Sequence, residues 1–348
     1  MIVGFWQQVL ASYLFAYIAV LSIVLGAMLQ IMISHLSGAR WFEGLRPLAV
    51  RIVGAMPFVA ILALPFLLGV HLLYPWADLA RIPPDVRDVV ARKHAWLNIP
   101  FFIARGVAYL VAWCVIAELI RRRDENDPSM RRISAIGIIV VGLTLTFASF
   151  DWVMSLEPSW YSTVYGVYVF AGGILASLAL MAFVTYRGMP NRSSSVDPNL
   201  PDLRAPESER QKASLGKLIF TFAIFWAYIW FSQYIVIWIG NLPSEVPWYS
   251  SRTHTGWVAL TVIAVLGQFA IPFLALIGYT AKRRERVLAL TGACILFAHV
   301  IDNFWLVMPS VFPTSFHVSW TDAAAILLVG GLTIYAARAR SAPRSSIA

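Results

Sequence analysis

Ionisable side chains are scarce in the apolar runs of this chain, and the few present define where proton chemistry could occur. Residues 149–161, SFDWVMSLEPSWY, place Asp151 at the end of a long apolar run, with a second acid, Glu157, in the turn that follows. A carboxylate at the edge of a bilayer is costly to keep charged, so it needs a partner, water or a job. Asp151 is read two ways: a solvated helix-end carboxylate, or a proton donor and acceptor. His299 and Asp302, at i and i+3, share one helical face. Imidazole beside carboxylate can hold or pass a proton near neutral pH; the plainer reading is a helix-packing hydrogen bond. Arg105 lies about seven residues into its run and must meet a carboxylate or reach outward. Asp151 and Asp302 are the partners at similar depth. Glu118 sits beside Arg121, Arg122 and Arg123. It reads first as an interfacial ion pair and second as the inner end of a proton path.

Other polar and aromatic residues carry weaker signals. His71, Trp152, Glu157 and Tyr165 cluster at the outer ends of apolar runs, as candidate interface residues. Tyr161, Tyr165 and Tyr168 repeat at helical spacing, as do Trp226, Trp230, Tyr234 and Trp238; such stripes are mostly packing or interfacial belts. Gln233 and Gln268 read as polar glue between helices. Thr144, Thr146 and Ser149 could line a water wire or bond their own backbone. Cys114 and Cys294 lie inside apolar runs and read as small buried side chains. Two cysteines cannot supply a Cys-x-x-Cys-His haem site or a four-thiolate cluster. No metal site is expected.

The elements that hold these residues are membrane spans. The 348 residues are 59% hydrophobic and 13% charged, with 14 Trp and a mean hydropathy of +0.71. Runs of about 20 apolar residues are long enough to cross ~30 Å of hydrocarbon. Nine are expected: 12–34, 49–73, 98–120, 133–154, 161–186, 216–240, 255–279, 286–308 and 321–338. In lipid every backbone polar group must be paired internally, so these runs are helices. The fold class is therefore all-α and polytopic. The net charge of +9 does not point to nucleic acid, because the basic residues concentrate in one alternate set of loops. The positive-inside rule makes that set cytoplasmic, with the N-terminus outside and the C-terminus inside. The stretch 188–214, rich in Pro, Ser and charge, reads as a flexible cytoplasmic loop. It divides an N-terminal half (1–187, five spans) from a C-terminal half (215–340, four spans), followed by a tail (341–348). The fourth and eighth spans echo one another, each with an acid and a Trp toward the outer face. Two parallel four-helix bundles plus an extra helix would produce that echo.

Four blocks carry a family resemblance: NIPFFIARGVAYLVAW (98–113), FDWVMSLEPSWYSTVYGVYVF (150–170), WAYIWFSQYIVIWIGNLPSEVPW (226–248) and HVIDNFWLVMP (299–309). They resemble the NrfD-like membrane subunits of alternative complex III, and among these the ActF-type subunit. The resemblance implies a subunit of a quinol:electron acceptor oxidoreductase in the bacterial inner membrane. It implies as partners a second NrfD-like subunit, a multihaem cytochrome c and an iron–sulfur subunit. This chain would bind no cofactor itself, and quinol or menaquinol would enter at the level of the complex, chiefly at the second NrfD-like subunit. The ActF-type subunit would handle protons or serve as a scaffold. Asp151, His299 and Asp302 are the ionisable residues in the matching blocks. His71, Trp152, Glu157 and Tyr165 then become candidates for a quinol-side surface. The family pattern has about ten spans, against the nine counted here. The alternatives are a stand-alone transporter of a small solute and a purely structural membrane anchor.

Overall fold

A computed structural model describes residues 4–78, 82, 84–124, 127–188, 207–243, 245–253 and 256–340. Among them all regular structure is helical, and nine helices are long and apolar enough to cross a membrane. These are span 1 (Phe5–Ser37), span 2 (Arg46–Leu68), span 3 (Ile99–Arg122), span 4 (Ser129–Leu156), span 5 (Tyr165–Tyr186), span 6 (Glu207–Gly240), span 7 (Val258–Leu276), span 8 (Glu285–Val311) and span 9 (Trp320–Ala339). The protein is a polytopic all-α membrane protein. Span 1 begins on one face, here the N-face, and span 9 ends on the opposite C-face.

Local sequence accounts for several boundaries. Gly38 closes span 1 in the left-handed region, at φ 61°, which glycine adopts without a Cβ penalty. Span 3 starts where the Asn98 side chain accepts from the Phe101 amide, with Pro100 in the first turn. Ser319 and Asp322 form a capping box at the start of span 9. Span 2 is interrupted into shorter helices, two of which start with Pro57 and Pro65 in their first turn. In span 7 the α-helix gives way to a π-turn over Leu266–Ala270, followed by Pro272. Pro272 has no N–H for the Gln268 carbonyl, and its ring would collide with that carbonyl in a regular helix. The wider π-turn relieves both conflicts.

Spans 1 to 4 pack as one four-helix bundle, in which spans 1 and 3 each touch spans 2 and 4. Spans 5 to 8 repeat the arrangement, with spans 5 and 7 each touching spans 6 and 8. Spans 1 and 5 join the bundles, and span 9 lies against spans 1 and 2. The join is made by small residues. A Cβ on Gly26 would lie 2.3 Å from the Gly173 carbonyl oxygen, and one on Gly173 would lie 2.7 Å from the Ser22 carbonyl oxygen. Only glycine permits so close a crossing, the usual device where lipid gives helices no hydrophobic reason to associate.

The loop expected over 188–214 is shorter than its composition suggests. Residues 207–214 are the opening turns of span 6, and residues 189–206 lie outside the described residues. The helix survives its polar sequence because one face is covered. Lys212 pairs with Glu209 at 2.6 Å and Glu285 at 3.2 Å, and all three are largely buried. The proposed tail 341–348 is likewise outside the described residues.

Candidate functional site

Asp151 ends the regular helix of span 4 and is fully buried, not solvated. Arg105 of span 3 grips it with two bonds, Nε to Oδ2 and Nη2 to Oδ1, each 2.8 Å. Trp96 Nε1 donates to Oδ1 at 2.8 Å, and the Tyr109 hydroxyl donates to Oδ2 at 2.9 Å. The remaining guanidinium nitrogen donates to the Trp96 carbonyl at 3.1 Å. The guanidinium also lies over the rings of Trp96 and Phe101, 4.1 and 4.2 Å from their centroids. Each carboxylate oxygen thus accepts two bonds. Fork-on-carboxylate geometry, with each guanidinium nitrogen bonded and each carboxylate oxygen doubly satisfied, is the arrangement that makes a buried pair tolerable. Such a carboxylate is a clamp between spans 3 and 4. It has no oxygen free for a travelling proton.

The eighth span presents a different environment. His299 and Asp302 share a helix but bond in different directions. His299 Nε2 meets Ser22 Oγ of span 1 at 2.9 Å, the Ala19 carbonyl at 3.3 Å and the Asn303 amide at 3.3 Å. Asp302 accepts the hydroxyl of Tyr168 in span 5. No bond joins His299 to Asp302, so the expected imidazole–carboxylate pair does not form. Gln268 of the π-turn and Trp226 of span 6 are directed at the Asp302 carboxyl without closing hydrogen bonds of ordinary geometry. Gln268 and His299 Nδ1 are buried without protein partners. Gly172 of span 5 faces the same cluster, where a Cβ would make ordinary contact with Trp226 and His299 at 3.6–3.7 Å. Among the described residues no lysine or arginine pairs with Asp302.

A second ion pair lies on the N-face. Arg252, in the short helix Val246–Thr253, is fully buried and meets Glu157 at 3.0 Å. Ser310 bridges the two, donating to Glu157 at 2.6 Å and accepting from Arg252 at 2.9 Å. The guanidinium lies 3.8 Å over Trp248, which stacks on Trp160 with centroids 4.3 Å apart. Tyr165 is buried within electrostatic range of Glu157, Arg252 and Asp302. Its ring centroid is 6.4 Å from that of Tyr168. Polar and aromatic groups therefore lead from Asp302 through Tyr168 and Tyr165 to the Glu157–Arg252 pair. Toward the C-face, spans 5 and 8 bury mainly apolar side chains, including Leu175, Leu178, Leu288 and Ile295.

No family model matches the chain, and no curated protein matches it.

Other expected site residues take simpler places. Trp152 is in the core of the first bundle, packed against Tyr17, Phe66, Tyr109 and Trp113, and is not a surface residue. Glu118 is held at the C-face by Arg121 and Arg122, with apolar core between it and Asp151. His71 is exposed on the N-face. Thr144, Thr146 and Ser149 all donate to carbonyls of their own helix, at 2.6, 2.9 and 2.7 Å. They do not form a line of free hydroxyls. Trp226, Trp230 and Tyr234 do stack in series, whereas Trp238 is 65% exposed. Two participants escaped sequence reasoning. Arg252 lies in sequence between two apolar runs, where a charge is ordinarily solvated, and only Trp248 four residues earlier hints at its burial. Gln268 was read as glue, although Pro272 four residues later marks a helix distortion.

Proposed function

We propose that this chain is a membrane subunit of a respiratory quinol:electron acceptor oxidoreductase of the alternative complex III type, and that Asp302 is its proton-handling residue. Four sequence blocks resembling the ActF-type subunit support the complex. One observation supports the site: a fully enclosed carboxyl in span 8 that has no cationic partner among the described residues. An ionisable group at membrane depth faces the protein interior for a reason that is usually functional. Asp302 can take or release a proton without breaking an ion pair, whereas Asp151 cannot. Tyr168, Tyr165 and the Glu157–Arg252 pair give it a polar connection to the N-face, which the basic loops make the outer face. The chain contributes no redox centre in this reading. Electrons pass through the haem and iron–sulfur partners, and quinol binds chiefly at the second NrfD-like subunit.

The test has two parts. The native chain is purified from its membrane and its partners identified. Recovery with a multihaem cytochrome c and an iron–sulfur protein is expected; a lone chain supporting solute flux would overturn the respiratory reading. Asp302→Asn should then leave the complex assembled while quinol-driven proton release falls at least tenfold. Unchanged proton release would leave Asp302 a packing residue.

A further inference from the structure

A cavity of about 210 Å³ opens on the N-face beside the Asp151 clamp. Its walls include Lys93, Trp96, Phe150, Met154, Pro158 and Trp160. Trp96 is the partition, since the same ring bonds Asp151 and covers Arg105. The lining is mostly apolar, and Lys93 supplies its positive charge. The Lys93 ammonium donates to the Pro158 carbonyl at 2.7 Å and stands 5.8 Å from the centre of the Tyr161 ring. An ammonium has three donors, so two remain. Among the described residues no carboxylate pairs with it. Burial lowers the Lys93 pKa from the ordinary lysine value, so the charged amine is held there at a cost.

Below the cavity the surface of span 4 continues as an apolar stripe. Phe147, Leu143 and Ile139 are 40%, 58% and 63% exposed, at successive i−4 steps, and Ile136 extends the exposed surface. From Phe147 to Ile136 the helix rises about 16 Å at 1.5 Å per residue. That is the depth of one leaflet of a ~30 Å hydrocarbon core. Trp96 leans on Phe147, with centroids 5.8 Å apart, so cavity and stripe are one surface.

We propose that this cavity and stripe bind one anionic phospholipid, its phosphate against Lys93 and its acyl chain along Phe147, Leu143 and Ile139. The charge supports an anion, and the outward stripe supports a lipid over a soluble ion. The aromatic walls match the headgroup level, where Trp and Tyr concentrate. By bracing Trp96, the lipid would also hold the lid over the Arg105–Asp151 pair.

The full chain, purified in mild detergent, is stripped of lipid and offered nanodiscs of phosphatidylglycerol or phosphatidylcholine. Retained lipid is counted by native mass spectrometry, and a photoreactive acyl chain maps the contact. Phosphatidylglycerol should be retained preferentially, with crosslinks to residues 139–150. Lys93→Gln should reduce retention about fivefold, in line with the attraction of one lysine to an anionic headgroup. Leu143→Asn, which keeps Lys93, should also reduce it. Equal retention of both lipids, or retention unaffected by either substitution, would overturn the proposal. So would displacement by inorganic phosphate alone, which would mark a free-anion site. Preferential retention of an uncharged prenylquinol would overturn it as well. None of these readings depends on which complex the chain belongs to.

Discussion

Two buried carboxyl groups separate at the level of their immediate partners. Asp151 receives four donors, two of them from the guanidinium fork, whereas Asp302 receives one hydroxyl and is approached by two groups that do not close bonds. Breaking one side of a buried ion pair leaves the other charge uncompensated, at about 3–5 kcal/mol. Arg105→Leu or Asp151→Leu should therefore lower the thermal midpoint of the purified protein by several degrees. The double replacement should recover much of the loss, because an apolar pair of similar volume avoids the desolvation. Additive losses in the double variant would refute the clamp. That Arg105 needs a carboxylate at similar depth is legible in the sequence, which offers Asp151 and Asp302 alike; the structure pairs it with Asp151. The role of the pair was not legible, because sequence spacing says nothing about Trp96 and Tyr109 filling the remaining lone pairs. The His299–Asp302 spacing misled for the same reason. Sharing a helix face put both inside the protein, but the helix meets span 1 on one side and span 5 on the other.

At the scale of whole helices, the contact between the bundles rests on missing side chains. Gly26 and Gly173 allow spans 1 and 5 to approach until a Cβ would collide with backbone. A clash with backbone cannot be relieved by turning a rotamer, so overpacking there costs about 1–3 kcal/mol or more. Gly26→Leu should reduce the yield of folded, monodisperse protein, whereas Gly142→Leu, where a Cβ meets nothing within 4 Å, should be tolerated. Equal behaviour of the two variants by size-exclusion profile and thermal midpoint would refute the crossing. Helix existence was plain from hydropathy. Boundaries at Asn98, Gly38 and the Ser319 box followed local capping chemistry that a count of apolar residues ignores. The early start of span 6 was hidden because Lys212 is brought between Glu209 and Glu285 only once the chain is folded. The π-turn at Gln268 belongs to the same class: Pro272 announces a disturbance but not which way the helix yields.

For the molecule as a whole, orientation decides what the polar groups can do. Nine spans put the ends of the described chain on opposite faces, and the clusters Arg121–Arg123, Arg131–Arg132 and Lys282–Arg286 all fall on the C-face. Short loops rich in lysine and arginine are retained in the cytoplasm, so the N-face should be outside. On the proposed reading Asp302 would communicate with the N-face by way of Tyr168 and Tyr165, since toward the C-face spans 5 and 8 bury mainly apolar side chains. One-sided access suits a group that releases protons outward or binds them from there, and does not suit a pore. With Cys114 and Cys294 replaced by alanine, a cysteine at Thr314 should react with a membrane-impermeant maleimide in intact spheroplasts. A cysteine at Ser37 should react only after the membrane is opened. The reverse pattern would turn the protein over, and Asp302 would face the cytoplasmic supply of protons. The same substitution, Asp302→Asn, would then be expected to impair proton uptake instead of release.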